Sequence, residues 1–491
     1  MIREIRHFHL FCGLGGGARG FNRASPRVGN MTGWFRCLGG IDVDTAAIRD
    51  FGRFAGVPGT VIDLFDRDQY RDFHGVEPPA DWHEATPADI RRAAGGEYPN
   101  IVFLSAPCKG FSGLLSETRS RTAKYQALNR LTLRGVWLML EAFSGDPPGL
   151  IVFENVPRIA NRGRHLLDQI GELLRAYGYA VAETTHDCGE IGGLAQSRKR
   201  FLLVARHIER VPPFLYEPEK KRLTSVSTVL RRMPMPGDPA GGPMHRVPSL
   251  AWKTWVRLAF VEAGSDWRSL NRLAVENGVL RDYVIVPDNG EGFAVRDPRT
   301  SMGAGTHQNI YRIVAWDETA RTVTGASHVA GWAGCVADPH PGIADRRAGD
   351  AYVGGGHYGV LAWSQSAGAV SSAAQHDNGR WSVADPRLPE ADDKLLCVIR
   401  ALDGTWHRPF TTLELAALQS LIDPEEMLEL DGLSDQAWRE RIGNAVPPDA
   451  ARAIAETMGK TMLLAWSGES FALSSVPIWV QPVAVALAMT I

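Results

Sequence analysis

The chain lacks the features that would assign it at once to a simple class. Its 491 residues include only six cysteines, widely spaced and without a C-x-x-C pair, which argues against a zinc site and for a reducing compartment. A net charge of −2 excludes a global attraction to nucleic acid, so a polyanion site would have to be a local basic surface. The start of the chain mixes charged with apolar residues, unlike a signal peptide. The most apolar stretch, Val476 to Ile491, is short and holds two prolines, so we expect a cytoplasmic chain without a membrane span.

What is present is the composition of an ordinary globular protein, 44% hydrophobic and 22% charged. The length exceeds a single typical core, so we expect two domains with an appendage. Strand-like and helical patterns alternate through the first 206 residues, which predicts a mostly parallel, doubly wound α/β sheet. The strand-like runs are 8–11, 61–62, 101–104, 150–153, 179–183 and 201–205, and the clearest helical patterns are 128–143 and 166–177.

Beyond residue 210 the chain becomes rich in proline, glycine and tryptophan, which predicts a second domain or a large insertion. Ten residues between Tyr311 and Pro339 recur 47 positions later, between Tyr358 and Pro386, and we interpret 295–299 as a worn third copy. Each unit is expected to form short strands that end in an Asp-Pro turn. Helical spacing returns at 413–421 and 449–466, where the alternating fold should resume.

The first predicted strand leads into a glycine-rich turn, Phe11 to Gly17, where backbone can approach a ligand at the start of a helix. Asp42 falls at the end of the second strand, where a carboxylate can accept hydrogen bonds from both ribose hydroxyls, and Asp63 falls at the end of the third strand. An N-cap or a turn is the alternative for each aspartate. Together, the three strand ends favour a nucleoside cofactor.

A second group of residues suits catalysis. Cys108 opens a loop after an apolar strand, where a nucleophile would lie at the sheet edge, and a buried structural thiol is the alternative. Glu154 follows the next strand in the same position, and partial desolvation there favours proton donation. Arg198 and Arg200 alternate onto one face and could bind a carbonyl oxygen and brace Glu154, although such runs are usually solvated basic turns.

In order and spacing these motifs resemble those of DNA (cytosine-5) methyltransferases. The resemblance covers about residues 7–206 and 408–460 and places the insertion where that family has its target recognition domain. It implies a Rossmann-like class I methyltransferase fold, a doubly wound mixed sheet, with a mainly β or irregular domain inserted before the last motifs. The shared motifs are Phe11-x-Gly13-x-Gly15-Gly16, Pro107-Cys108 with Phe111-Ser112, Glu154-Asn155-Val156, Gln196-x-Arg198-x-Arg200 and Gly443-Asn444-x-Val446-Pro447.

The resemblance also implies a domain organisation. Residues 1–210 would form the first part of the catalytic domain and 407–466 would complete it. Residues 211–406 would form the target recognition domain, and 467–491 an apolar extension packed on the rest.

The mechanism implied by the resemblance begins with addition of the Cys108 thiolate to C6 of a flipped cytosine. Glu154 would protonate N3, and Arg200, with Arg198 beside it, would hold the base oxygen O2 and Glu154. C5 would then take the methyl group of S-adenosylmethionine, leaving S-adenosyl-L-homocysteine. The implied cofactor residues are Phe11, Gly13, Gly15, Gly16, Asp42, Asp63, Pro107, Asn444 and Val446. The implied DNA contacts are Ser112, Arg119, Arg121 and Lys124, and no metal is implied.

Double-stranded DNA is the expected partner, a cognate restriction endonuclease is a further candidate, and we expect a monomer. A transfer RNA cytosine-5 methyltransferase shares the catalytic motifs and stays open as an alternative. A catalytically silent DNA-binding relative is disfavoured by the intact Cys108, Glu154 and Arg200. A nicotinamide-dependent dehydrogenase would explain the glycine-rich turn but leave Cys108 and Glu154 without a role. Lys109, where the family usually has glutamine, has no assigned function.

Overall fold

The structure is a computed structural model that describes residues 1–107, 122–212, 217–248, 250, 252–265, 267–277, 279–280, 286–287, 294–296, 313–314, 335–336, 357–370, 378–387, 398–399 and 401–467. The chain divides into two compact units. The first unit comprises Met1–Leu223, Gln419–Leu421 and Leu430–Ile491, and the second comprises Thr224–Leu418 and Ile422–Glu429.

This division differs in detail from the predicted domain limits. The first unit continues past residue 210 to Leu223, and residues 407–418 fall in the second unit instead of the returning part of the first. Most of the predicted extension 467–491 lies outside the described residues, which end at 467. The predicted assignment of these segments to a catalytic and a recognition domain stays a prediction.

The first unit is an α/β structure. Its strands are β1 (Ile2–Leu10), β2 (Arg27–Val28), β3 (Met31–Asp42), β4 (Thr60–Val61), β5 (Ile101–Leu104), β6 (Leu150–Asn155), β7 (Tyr179–Asp187) and β8 (Lys199–His207). Its helices are α1 (Gly16–Asn22), α2 (Thr45–Ala55), α3 (Arg67–His74), α4 (Pro87–Ala93), α5 (Ala123–Ala142), α6 (Ile159–Arg162), α7 (Arg164–Ala176), α8 (Cys188–Gly192), α12 (Asp435–Asn444) and α13 (Pro448–Ser467).

The eight strands form one mixed sheet in the order β2-β3-β1-β5-β6-β8-β7, with β4 paired to β3. Strands β1, β3, β4, β5 and β6 run parallel, whereas β8 is antiparallel to both β6 and β7. The predicted doubly wound mixed sheet is thereby confirmed. Because β8 is reversed, its amino end lies at the same sheet edge as the carboxyl ends of β5 and β6.

Helices cover both faces of the sheet, which is why its central strands read as continuous apolar runs. Val102 and Leu104 of β5 pack on the face that carries α5 and α7, while Ile101 and Phe103 pack on the face that carries α1 and α13. All four side chains are buried. The alternation follows from the two-residue period of a strand.

Several strands are longer than the sequence pattern predicts. β1 begins at Ile2 instead of residue 8, and β7 extends to Asp187 instead of 183. Apart from the buried Ile5, the added residues are polar or exposed, so they give little apolar signal. They are nevertheless paired in the ladder, as Thr184 is with Leu202 of β8.

The second unit contains short elements. Its helices are α9 (Ser227–Leu230), α10 (Trp252–Phe260) and α11 (Thr412–Leu418), with 3₁₀ turns at Pro239–Gly241, Pro243–His245 and Trp267–Arg272. Its strands are β9 (Val275–Glu276), β10 (Val279–Leu280), β11 (Val286–Pro287), β12 (Ala294–Arg296), β13 (Ile313–Val314), β14 (Cys335–Val336), β15 (His357–Leu361), β16 (Asn378–Asp385), β17 (Val398–Ile399) and β18 (Trp406–Pro409).

The sequence repeat corresponds to a repeated strand pairing. In the first copy Ile313 pairs in parallel with Cys335, and 47 residues later Val360 pairs in parallel with Ser382. In the worn copy β11 also pairs in parallel with β12 just before the Asp-Pro step at 297–298, but the paired strands are much closer in the sequence than in the two clear copies. β12 and β16 each take a further antiparallel partner, β17 and β18 respectively.

A buried ion network fastens the end of the second unit. Arg408 of β18 lies 2.7 Å from carboxylate oxygens of both Asp385 and Glu414, and none of the three side chains is exposed. Arg408 holds the pKa of both carboxyl groups below their usual values against the opposing effect of burial. The network therefore joins β16, β18 and α11.

Within the described part of the chain, no helix is both long and apolar enough to cross a membrane.

Two histidines are buried beneath α1 in the first unit. The Nδ1 atom of His7 lies 2.8 Å from Nε2 of His9, and Nε2 of His7 lies 2.9 Å from Oδ1 of Asn22. The amide nitrogen of Asn22 donates to the carbonyl oxygen of Ala55, so its Oδ1 accepts from His7 and His7 Nδ1 accepts from His9. Burial lowers the pKa of His7 to about 4 and that of His9 well below its usual value.

This burial predicts a pH-dependent stability. Between pH 6.5 and about 4 the unfolded chain protonates His7 while the folded chain keeps it neutral, so the free energy of unfolding falls as the pH falls through this window. His7 alone accounts for a loss of about 3 kcal/mol. Urea denaturation over this pH range should show a shallower dependence for a His7→Leu/His9→Leu variant than for the wild type. Identical slopes for the two proteins would contradict the assignment.

Candidate active site

A cavity of about 380 Å³ lies at the edge of the sheet where the parallel strands end. It is lined by residues that follow β1, β3, β4, β5 and β6 and by residues 440–446, all within the first unit. Seven of the residues predicted to hold a cofactor line it: Phe11, Gly13, Asp42, Asp63, Pro107, Asn444 and Val446. The arrangement brings together groups more than 400 residues apart in the sequence.

Gly15 and Gly16 do not line the cavity but shape the turn beside it. Gly15 precedes α1 with a φ of 93°, which a residue with a side chain rarely adopts. A β-carbon on Gly16 would collide with the carbonyl oxygen of Val446. Gly16 thus lets the first turn of α1 approach the segment that contains Asn444, whereas Gly15 permits the left-handed turn before the helix.

The two predicted aspartates are held by backbone and side-chain donors. Asp42 accepts hydrogen bonds from the amides of Gly13 at 2.9 Å and Asp44 at 3.0 Å, so it ties the glycine-rich turn to the end of β3. Burial raises the pKa of Asp42, although these two hydrogen bonds oppose the shift. Asp63 accepts from the amide of Phe65 and from the indole Nε1 of Trp82.

An ion pair between neighbouring strands forms the polar end of the cavity. The Nε atom of Arg200 in β8 lies 2.7 Å from Oε1 of Glu154 in β6, and the side chains are only 13% and 8% exposed. The second carboxylate oxygen of Glu154 accepts a hydrogen bond of 2.6 Å from the hydroxyl of Ser105, which follows β5. The predicted bracing of Glu154 by Arg200 is therefore present in the geometry.

The segment that leads to Cys108 is fixed to the same strand. The side-chain amide of Asn155 donates to the carbonyl oxygen of Ala106 at 3.3 Å. Pro107 lines the cavity, and Cys108 itself lies outside the described residues. Ser105 and Asn155 were not among the predicted site residues, although Ser105 could have been found as a polar residue directly after an apolar strand.

Arg198 also lines the cavity but contacts a different wall. Its guanidinium donates to Gln419 Oε1 at 2.9 Å and to the carbonyl oxygens of Gly443 and Ala445 at 2.9 and 3.0 Å. Gln419 in turn donates to the carbonyl oxygen of Ile442 at 2.6 Å. Arg198 and Gln419 together hold the chain on both sides of Asn444.

Arg441 fastens the same segment from the opposite direction. It pairs with the fully buried carboxylate of Asp50 in α2 and donates to the carbonyl oxygen of Asp431. The amide of Asp431 donates to the other oxygen of Asp50 at 2.8 Å. Sequence reasoning missed Arg441 and Asp50 because their pairing joins residues 391 positions apart and neither belongs to a local motif.

Three of the four predicted DNA contacts lie outside the described residues. Ser112, Arg119 and Arg121 are not among the described residues. Lys124 is exposed at the start of α5, and its ammonium lies 4.7 Å from the centre of the Phe73 ring, a cation–π distance.

The sheet order, the reversed β8 and the cavity at the carboxyl edge define a class I methyltransferase fold. A methyltransferase from Entamoeba histolytica, EhMeth, is 13% identical, and the match covers 95% of this chain and all of that one with a TM-score of 0.51. This similarity shows the fold.

Residues 79–239 match the family model of the C-5 cytosine-specific DNA methylase. The matched segment includes Cys108, Glu154, Arg198 and Arg200, and it confirms the family resemblance found in the motifs. Residues 79–239 are thus similar to the C-5 cytosine methyltransferases, a family that in general depends on S-adenosylmethionine.

Two further solved structures are similar over almost the whole chain. A putative DNA modification methyltransferase encoded within a prophage of E. coli is 13% identical, with 94% and 99% of the two chains covered and a TM-score of 0.44. The Dnmt2 methyltransferase of S. pombe is 13% identical, with 95% and 100% covered and a TM-score of 0.43. Among curated proteins, none matches the chain.

The contacts of Arg198 predict a structural cost for its removal. Arg198→Met keeps much of the side-chain length but leaves three buried acceptors, on Gln419, Gly443 and Ala445, without their donor. An unsatisfied buried group costs about 1–3 kcal/mol, so we expect the free energy of unfolding to fall by about 3 kcal/mol in chemical denaturation.

Arg92→Met is the matched control, because the Arg92 side chain is 75% exposed and pairs only at the surface with Asp89. Its effect should stay below about 1 kcal/mol. Equal losses in the two variants would contradict the role of Arg198 in holding the Asn444 segment.

Proposed function

We propose that this protein methylates C5 of cytosine in duplex DNA, with S-adenosylmethionine as methyl donor and Cys108 as the transient nucleophile. The observation that carries the proposal is the single cavity that contains both the nucleoside-type turn around Asp42 and the Glu154–Arg200 pair. Methyl transfer requires a donor and an activated base within bonding distance, and a shared cavity provides this proximity.

The residues around Asp42 fit a nucleoside cofactor. Gly13 lines the cavity with a φ of 52°, and among the described residues other than its two chain neighbours no atom lies within 4 Å of the position that a β-carbon there would occupy. The cavity volume falls within the range of small-molecule sites, roughly 300–1,000 Å³. Asp42 would accept hydrogen bonds from the ribose hydroxyls, and Phe11 and Asn444 would contact the remainder of the cofactor. When bound, S-adenosylmethionine supplies an electrophilic methyl group.

The protein's own groups would make cytosine reactive. C5 of cytosine is a poor nucleophile, so the Cys108 thiolate adds to C6 while Glu154 gives a proton to N3, which leaves electron density on C5. Arg200 would orient the Glu154 carboxyl group and donate to the base oxygen O2. Once C5 carries the methyl group, loss of its proton to a base restores the C5–C6 double bond. The C6–S electron pair then returns to the sulfur, and N3 returns its proton.

Double-stranded DNA is the proposed substrate because sequence-specific reading of a duplex needs a dedicated surface, and we expect the second unit to supply it. The target cytosine would have to leave the stack to reach the cavity. Transfer RNA is the competing substrate and forms an arm of the test.

The test is transfer of labelled methyl groups from S-adenosylmethionine to duplex DNA and, in parallel, to transfer RNA. The wild type should label DNA, and Cys108→Ala should abolish transfer. Glu154→Gln should lower the rate by about 10²–10⁴-fold, because it removes the proton donor but keeps the size of the side chain.

Cys335→Ala and Glu183→Gln are the controls. Cys335 lies in β14, and Glu183 of β7 forms a partly exposed ion pair with Arg164 at the start of α7. Both variants should retain wild-type rates. Label in transfer RNA alone would overturn the DNA assignment, label in neither would overturn the enzymatic function, and full activity of Cys108→Ala would overturn the nucleophile.

A further inference from the structure

Phe11 adopts an unusual backbone conformation directly after β1. Its φ is 53°, in the left-handed region that residues other than glycine, asparagine and aspartate rarely enter. Such a conformation persists only where the surroundings enforce it. The amide of the next residue, Cys12, donates to the carbonyl oxygen of Ile41, and the amide of Gly13 donates to Asp42. These two hydrogen bonds hold the residues after Phe11 to the end of β3.

The ring of Phe11 lies against the backbone of α5 at Gly135. A β-carbon on residue 135 would lie 2.8 Å from Cζ and 3.0 Å from Cε2 of Phe11. Carbon atoms in contact are normally about 3.5–4.0 Å apart. The position therefore accepts the ring only because residue 135 has no side chain.

Gly135 belongs to the face of α5 that borders the cavity. Leu128 and Leu131 line the cavity, and residues 128, 131 and 135 share one face of a helix. Glycine in a helix interior is intrinsically unfavourable compared with alanine. Its presence in the middle of a 20-residue helix is thus explained by the ring that packs on it.

We propose that Gly135 is a positioning residue for cofactor binding: it holds the Phe11 ring against α5 and so keeps the cavity open to the cofactor. The proposal rests on the proposed use of S-adenosylmethionine, since Phe11 lines the same cavity as Asp42. A side chain at 135 would force the ring away from the helix by roughly 0.5 Å or more. The Glu154–Arg200 pair, which belongs to other strands, would keep its geometry.

The test is the affinity of Gly135→Ala for S-adenosylmethionine and for S-adenosyl-L-homocysteine, measured by calorimetry without DNA. We expect binding to weaken about tenfold, which corresponds to 1.4 kcal/mol. In steady-state transfer the KM for S-adenosylmethionine should rise by a similar factor while kcat stays within about twofold.

Gly52→Ala is the matched control. Gly52 lies inside α2, and a β-carbon there would meet only the carbonyl oxygen of Val57, at 4.0 Å. This variant should bind like the wild type. Equal weakening by both substitutions would show a general helix effect and would overturn the proposal.

A double-mutant cycle with Phe11→Leu isolates the ring. Leucine lacks the Cζ and Cε2 atoms that a side chain at 135 would meet, so Gly135→Ala should have little further effect in that background, even if the single variant folds poorly. Undiminished affinity of Gly135→Ala, or the same loss in both backgrounds, would overturn the inference. Absence of binding by the wild type would instead refute the proposed cofactor.

Discussion

The ion pair between Glu154 and Arg200 depends on one topological feature, the reversal of β8 beside β6. Three strands end or begin at that edge and contribute Ser105, Glu154 and Arg200, so a carboxylate is held between a guanidinium and a hydroxyl in a nearly buried setting. Removing two charges from water is costly, so burial of the pair is weak evidence for a stabilising role. Its position at the cavity makes the pair a candidate for the chemistry that takes place there.

The walls of that cavity come from distant parts of the chain, and close backbone contacts hold them together. Gly16 permits the approach of α1 to Val446, Arg198 holds the carbonyl groups of Gly443 and Ala445, and Arg441 pairs with Asp50 on α2. The segment that contains Asn444 is thus held from three sides. A rigid wall suits the proposed function, in which the site would hold a methyl donor and a base at bonding distance.

Much of this arrangement could be predicted from the sequence because strand ends carry local signals. The glycine-rich turn, Asp42, Asp63 and Glu154 each follow an apolar run, and parallel strands bring such positions to one edge. The hydrogen bonds of Arg198 to Gly443 and Ala445 and the pairing of Arg441 with Asp50 could not be predicted, because they join residues hundreds of positions apart. The contact between Gly135 and the Phe11 ring could not be predicted either, because a glycine inside a helical pattern gives no sign of the side chain that packs on it. β1 and β7 are longer than predicted because mostly polar residues continue their strand pairing beyond the apolar run.

The central claim is that one cavity unites the methyl donor with a cytosine activated by Cys108 and Glu154. Its most direct test is covalent trapping on duplex DNA that contains 5-fluorocytosine, where the fluorine prevents loss of a proton from C5 and so blocks release of the cysteine. With S-adenosylmethionine present, the account predicts a stable complex of one chain, one duplex and one added methyl group. After digestion, the crosslinked peptide should contain Cys108. A crosslink at another cysteine, or no covalent complex at all with DNA that the enzyme otherwise methylates, would contradict the account.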